Sequence, residues 1–195
     1  MSRLTIFEGP DGGGKSTAAE AWSKATGAAR HHHPAYTGLS EIEPLYYLSM
    51  LPAALRLCDV VLDRCWLSDV PYGRAYRDGV DRVGVAGRRR LEAVAQSLDA
   101  VVVICLPPWE ACRSAFAQRA AVGQEYLRSE EQLRRVYREY EELQTNLPVI
   151  GWGPWSGTGQ VTWIAAWASD VLFTSIYSGG GLSVVEILDD TRYLD

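Results

Sequence analysis

Three observations predict a three-layer α/β fold with a mainly parallel central sheet flanked by helices. Residues 4–7, 59–63 and 100–106 are short apolar runs, near-continuous rather than alternating, as in strands covered on both faces. Segments of helical periodicity alternate with these runs through short links. Between the first run and the first helical segment lies a glycine-rich stretch, Phe7-Glu8-Gly9-Pro10-Asp11-Gly12-Gly13-Gly14-Lys15-Ser16-Thr17. A strand, such a loop and a helix N-terminus in that order make an anion site from backbone dipoles. The chain reads as one domain over residues 1–195, in which 151–195 form a divergent part rich in tryptophan and glycine.

The elements follow in order. Residues 16–24 read as a helix opening directly from the loop. Residues 28–33 read as a second strand, ended by Pro34. Its histidines, His31, His32 and His33, point alternately to opposite faces, so they do not converge on one metal. They read instead as a polar strand end near a ligand. Residues 41–57 are expected to be helical, interrupted by Pro44 and Pro52, and residues 66–76 and 86–98 helical throughout. The strand at 100–106 is closed by Pro107-Pro108, and helices follow at 109–121 and 128–143. In the second of these, Leu133, Val136, Tyr137 and Tyr140 fall at helical spacing, a stripe that reads as core. Residues 148–150 are expected to form the last central strand. Past Gly151 the pattern dissolves: residues 161–177 fit helix or strand, and Gly179-Gly180-Gly181 reads as a hinge.

Bulk composition narrows the classes. At 195 residues, 47% hydrophobic and 22% charged, the chain is globular and long enough for a sizeable core. A net charge of -5 gives no general attraction to nucleic acid, although a local basic face is compatible with it. Cys58, Cys65, Cys105 and Cys112 lack C-x-x-C spacing and read as packed, reduced thiols rather than a zinc site. The chain enters a strand almost at once and has no apolar run long enough for a bilayer. The expectation is a cytoplasmic protein with no membrane partner, its oligomeric state open, a homodimer included.

The loop carries the chemistry. It fits the phosphate-binding pattern G-x-x-x-x-G-K-S/T at Gly9, Gly14, Lys15 and Ser16. Glycines let the backbone curl round a phosphate chain with its N–H groups inward. Gly9, Pro10, Asp11, Gly12, Gly13, Gly14, Lys15, Ser16 and Thr17 are therefore the expected nucleoside triphosphate site. Lys15 would reach the β/γ-phosphates and the Ser16 hydroxyl would hold Mg²⁺. Lys15 is expected to be an exposed loop lysine, catalytic and without weight in the core. Asp63-Arg64 is the second signature. An acid leaving a buried strand beside a phosphate loop is placed to hold Mg²⁺, and Arg64 can meet phosphoryl oxygens bidentately. Strand polarity puts both Asp11 and Asp63-Arg64 at the carboxyl ends, where such sheets bind ligands.

These residues, with Ser68 and Tyr72 at matching offsets, resemble the thymidylate kinase family of P-loop deoxynucleotide kinases. Leu106-Pro107-Pro108, then Arg113, Arg119 and Tyr126-Leu127, extend the likeness over roughly residues 1–150. The chain looks most similar to divergent, phage-type members. The resemblance implies a P-loop kinase fold, ATP as donor with Mg²⁺, and a host cytoplasm if phage-encoded. It implies that Asp11 contacts the acceptor sugar, that Asp63 and Arg64 serve magnesium and phosphate, and that Arg113, Arg119 and Arg128 lie on a lid over ATP. Lys15, Asp11 and Arg64 are then the catalytic set. Asp11, Arg64, Ser68, Tyr72 and Trp66 form the acceptor side.

The departures are as informative. The family's Arg-Glu-Pro is replaced by His32-His33-Pro34, and the next helix offers Tyr46, Tyr47 and Met50, with Arg56 displaced. Gly73 stands where the family has Gln or Asn. Each lost charge-assisted pair to a dianion is worth about 1.5–3 kcal/mol. Either Arg74 or Arg77 substitutes, or the acceptor is not a free monophosphate. The preferred expectation is phosphorylation of the 5-hydroxymethyl group of 5-hydroxymethyluracil in DNA, a neutral acceptor reached by base extraction, as in thymine hypermodification by phage relatives. Trp66, Tyr72 and the late tryptophans would wall the base. The alternative is a deoxynucleoside monophosphate kinase acting on dTMP or 5-hydroxymethyl-dUMP. A nucleotide-driven switch or motor ranks third, since no GTPase base-recognition motif is present. Asp11 would orient or deprotonate a hydroxyl acceptor, with Asp63 and Asp69 as competitors for that role.

Overall fold

The structure, a computed structural model, describes residues 4–32, 58–123, 127–152, 161–168, 171–178 and 181–186, with the backbone alone from residue 151 onward. Strand β1 (Leu4–Glu8) is the hub. It pairs in parallel with β3 (Val60–Asp63) on one side and β4 (Val101–Cys105) on the other. Strand β2 (Ala29–His32) extends the sheet beyond β3, and β5 (Val149–Trp152) beyond β4, both in parallel. The expected mainly parallel sheet is found.

Side chains alternate between two apolar layers, which explains the unbroken apolar runs. Leu4, Ile6, Val60, Leu62, Val102 and Ile104 face one cluster; Phe7, Val61, Val103 and Cys105 face the other. The second cluster is closed by α1 (Lys15–Thr26) through Ala18, Ala19 and Trp22. The first receives Trp66 and Leu67 of a 3₁₀ turn (Trp66–Ser68), then α2 (Asp69–Tyr76), α3 (Gly84–Ser97), α4 (Trp109–Ala120) and α5 (Glu130–Glu141). The stripe Leu133, Val136, Tyr137 and Tyr140 is buried there, as its spacing predicts.

Helix boundaries differ from the sequence reading where caps intervene. Residues 66–76 split in two because the Cys65 sulfur accepts from the Leu67 amide at 3.4 Å and closes a separate turn. Helix α3 starts at Gly84 rather than residue 86, since Asp81 accepts from the Val83 and Gly84 amides. Helix α5 starts at Glu130 rather than 128. Ser129 accepts from the Gln132 amide at 3.2 Å while the Gln132 side chain accepts from the Arg128 amide, a capping box shifted by one residue.

Residues 149–152 are not the last strand. Strand β6 (Val161–Ala168) pairs in parallel with β5, and β7 (Val171–Ser178) and β8 (Gly181–Glu186) follow antiparallel. The ambiguous stretch 161–177 thus resolves into strands, and Ser178 stands opposite Gly181 across a β7–β8 pair rather than at a hinge between bodies. The helix expected at 41–57, with Tyr46, Tyr47, Met50 and Arg56, lies outside the described residues, as do His33, Tyr126 and Trp155. Among the described residues no helix is long and apolar enough to cross a membrane.

Candidate active site

The sheet order β2-β3-β1-β4-β5 places the chain's change of direction at β1, and the loops leaving β1 and β3 meet there. Leaving β1, the chain passes so close to the end of β4 that a Cβ on Gly9 would stand 2.2 Å from the Cys105 carbonyl oxygen. A Cβ on Gly12, at φ 76°, would stand 2.4 Å from the Cys112 carbonyl of α4. Glycine is thus required at both positions by close backbone approach as well as by curvature. Gly14, also left-handed, starts α1. The segment expected as a lid is therefore anchored at its first half. Helix α4 seats directly on the loop, with the Cys112 thiol donating to the Asp11 carbonyl at 3.1 Å.

Lys15 is not the exposed residue the sequence suggests. Only 6% of it is exposed, and its ammonium donates to the Pro10 carbonyl at 2.6 Å across the loop. Burial, with Arg64 nearby, pulls its pKa from the ordinary 10.5 down to about 8, against the opposing influence of Asp11.

Asp63 and Arg64, adjacent in sequence, do not pair with each other. Arg64 adopts φ 75° and its amide donates to the Phe7 carbonyl at 3.0 Å, which turns its side chain over the loop. Its guanidinium pairs with Asp11, donates to the Tyr72 hydroxyl at 2.9 Å and the Gly9 carbonyl at 3.2 Å, and lies 5.0 Å from the centre of the Tyr72 ring. Ser68 at 3.3 Å and Tyr140 at 3.5 Å complete the cage. Behind them Glu8, wholly buried, accepts from the Ser68 and Tyr140 hydroxyls and from the Cys65 amide. Burial works to raise the Asp11 pKa, but Arg64, Lys15, the Tyr72 hydroxyl and Arg119 together hold it below the usual carboxylate range. One Asp11 oxygen, Oδ2, is buried without a hydrogen-bond partner.

Asp63 closes the other side. Register puts His32 beside it on β2, and Arg30, two residues back, shares that strand face. Its Oδ2 accepts from Arg30 at 2.6 Å and is 3.0 Å from His32 Nδ1, while Oδ1 is buried and unpartnered. Burial is again outweighed, by Arg30, the neighbouring Ser16 hydroxyl and His32, so the carboxylate is held below its ordinary range. A hard cation needs oxygen ligands, and an orphaned, ionised carboxylate oxygen near the Ser16 hydroxyl fits Mg²⁺.

Of the other predicted residues, Ser68 and Tyr72 reach the Arg64 cage, and Arg119 is sensed by Asp11. Arg113 is exposed and engaged by Glu110 and Glu130, while Arg128 is exposed. Thr17 is exposed on the first turn of α1 and Gly13 lies in the loop against Pro10. Trp66 is wholly buried in the main cluster, so it does not offer a ring face to an acceptor base. Asp69 is gripped by Arg77 and Arg82, all three buried, which removes it from contention as a base and Arg77 as a replacement phosphate ligand. Arg74 is exposed and pairs with Glu139. The cysteines are free thiols, and no group of three or more metal-ligating His, Cys, Asp or Glu exists among the described residues. Sequence reasoning missed Glu8, Arg30 and Tyr140. Only Glu8 carried a signal, a carboxylate inside the last turn of an otherwise apolar strand.

The loop, the helix that follows it and the parallel sheet define an α/β fold of the P-loop kinase kind. No family model matches the chain, and no curated protein matches it. Among solved structures it is similar to the YorR protein of Bacillus subtilis in complex with phosphorylated GDP, at 22% identity and a TM-score of 0.57, covering 76% of this chain and 84% of that one. It is also similar to deoxyadenosine kinase from M. mycoides with bound dATP, at 20% identity and TM-score 0.48 over 72% and 82% of the two chains. Thymidylate kinase from Ehrlichia chaffeensis follows at 18% identity and TM-score 0.34 over 71% and 95%. The fold assignment rests on the first of these and on the sheet order.

Proposed function

We propose that the chain is an ATP-dependent phosphotransferase whose acceptor is a neutral hydroxyl, best matched by the 5-hydroxymethyl group of 5-hydroxymethyluracil in DNA. The observation that carries the phosphotransferase reading is the buried Lys15, its pKa pulled down to about 8, inside a glycine-rich loop that also holds the caged Arg64 against Asp11. The neighbour that shares the fold was solved with a phosphorylated nucleotide, in keeping with this. The loop amides and Lys15 would bind the donor's phosphates, and Arg64, held rigid, would neutralise charge that develops during transfer. Ser16 and Asp63 would hold Mg²⁺, which when bound offsets phosphate charge. Asp11, ionised and with Oδ2 free, would align the acceptor hydroxyl and take its proton.

The hydroxyl acceptor is favoured because both cations that might replace a monophosphate grip are engaged elsewhere: Arg77 by Asp69 and Arg74 by Glu139. The monophosphate kinase reading would have only Arg56 as a permanent cation within residues 33–57 to draw on. Given γ-labelled ATP with, separately, dTMP, 5-hydroxymethyl-dUMP, ordinary DNA and DNA containing 5-hydroxymethyluracil, the protein is expected to label the hydroxymethylated DNA alone. The label should sit on the base substituent, and transfer should fall with salt. Conversion of free dTMP to dTDP with nothing on DNA would replace this reading by the monophosphate kinase.

Asp63→Asn is expected to raise the Mg²⁺ concentration needed for half-maximal turnover by about tenfold or more, because a neutral amide holds the ion poorly. Altered stability with unaltered Mg²⁺ dependence would make Asp63 purely structural.

A further inference from the structure

The charges around the loop are evenly matched. Lys15 at the start of α1, Arg64 after β3 and Arg30 within β2 stand against Glu8, Asp11 and Asp63 at and beyond the carboxyl ends of β1 and β3. Asp63 is a carboxylate beside the Ser16 hydroxyl, yet it is already partnered. Arg30 Nη2 lies 2.6 Å from Oδ2 with the carboxylate wholly buried and the arginine side chain 29% exposed. His32 adds a second contact to the same oxygen. Arg30 Nε is buried and without a hydrogen-bond partner, so the guanidinium meets this carboxylate through Nη2 alone, with Glu20 a further, electrostatic neighbour.

We infer that Arg30 is a specificity-determining counter-ion, which prevents Asp63 from capturing a free divalent cation and makes the site accept the metal only as a chelate with a polyphosphate. This rests on the phosphotransferase reading above. Two effects of Arg30 on a metal at Oδ1 oppose each other. As a positioning group it fixes the carboxylate and would favour binding. As a cation sharing that carboxylate it repels a dication, with a force that scales with the product of the charges in a partly desolvated site. The repulsion dominates, because β3 already fixes the Asp63 backbone and His32 still holds Oδ2 when Arg30 is gone. A metal bound to a nucleotide's phosphates arrives with net negative charge and meets attraction from Lys15 and Arg30 instead.

The test is Mn²⁺ binding followed by electron paramagnetic resonance on the full chain, with and without ATP. Wild type is expected to bind free Mn²⁺ weakly and Mn·ATP well. Arg30→Gln is expected to bind free Mn²⁺ about tenfold more tightly, and Arg30→Lys, which keeps the charge, to behave as wild type. Adding Asp63→Asn to Arg30→Gln should abolish the gain. Arg30→Met serves as a second neutral variant, read on whichever of the two melts cooperatively. Free Mn²⁺ bound as weakly as, or more weakly than, by wild type in a folded neutral variant would overturn the inference and make Arg30 a positioning residue. Unfolding of both neutral variants would overturn it in favour of a structural cation. Failure of wild type to bind Mn·ATP would instead sink the phosphotransferase reading, and that arm does not depend on Arg30 variants.

Discussion

Lys15→Met is expected to abolish phosphoryl transfer and, in the same protein, to raise stability. The first effect follows from removing the cation that faces the donor's phosphates, a contact realised in the transition state. The second follows from burial. A lysine whose pKa falls from 10.5 to about 8 carries its charge at a cost of about 3 kcal/mol below that pH. Methionine keeps the stem's packing and removes the charge; the attraction to Asp11 is already contained in that net figure, and the lost bond to Pro10 offsets part of the gain. The net expectation is about 1–3 kcal/mol of added stability, the trade-off common at strained active sites. The pH dependence supplies a second reading. Between about 8 and 10.5 the unfolded chain binds the Lys15 proton and the folded chain does not, so wild-type stability gains from this group as pH rises through that window. The gain should be missing in Lys15→Met. A variant that melts lower than wild type at pH 7 would show that Lys15 is a stabilising loop strut.

Asp69→Ala is expected to destabilise the fold by about 3–5 kcal/mol, the typical result of leaving buried charge uncompensated. Two guanidiniums converge on one oxygen: Arg77 at 2.8 Å and Arg82 at 2.6 Å, with side-chain exposures of 4% and 6%. Arg77 also donates to the Asp69 backbone carbonyl at 2.7 Å, so the network ties the first turn of α2 to the segment leading into α3. The loss would appear as a much lower denaturant midpoint. Residual turnover in the fraction still folded should be close to normal. An Asp69→Ala protein that melts like wild type but turns over a thousandfold more slowly would restore Asp69 to the role of base.

What could be read in the sequence, and what could not, divides by distance along the chain. Strands β1, β3 and β4 announce themselves because both faces are covered, which removes polar alternation from their sequences. The loop is legible because its glycines are demanded by backbone contacts that no other residue tolerates. The Arg30–Asp63 pair spans 33 residues and depends on β2–β3 register, which no local pattern encodes. Tyr140 reaches Arg64 across 76 residues, and its helical spacing correctly marks it as core while hiding the one polar atom that matters. Trp66 misled in the opposite direction, since an aromatic beside Asp63-Arg64 in sequence turns into the core one residue past the Cys65 cap. Strands β6 and β7 were obscured because tryptophans among alanines in the first, and apolar residues mixed with hydroxyl residues in the second, fit no single period.

The central claim, that residues 9–16 hold the phosphates of a nucleoside triphosphate, is tested most directly by calorimetric titration of the wild-type chain with ATP and with AMP at equal Mg²⁺. The β- and γ-phosphates would add at least two charge-assisted bonds of about 1.5–3 kcal/mol each, so ATP should bind about a hundredfold or more tightly than AMP. That difference should largely vanish in Lys15→Met. Equal affinities for ATP and AMP, or ATP binding undiminished in a folded Lys15→Met protein, would contradict the claim.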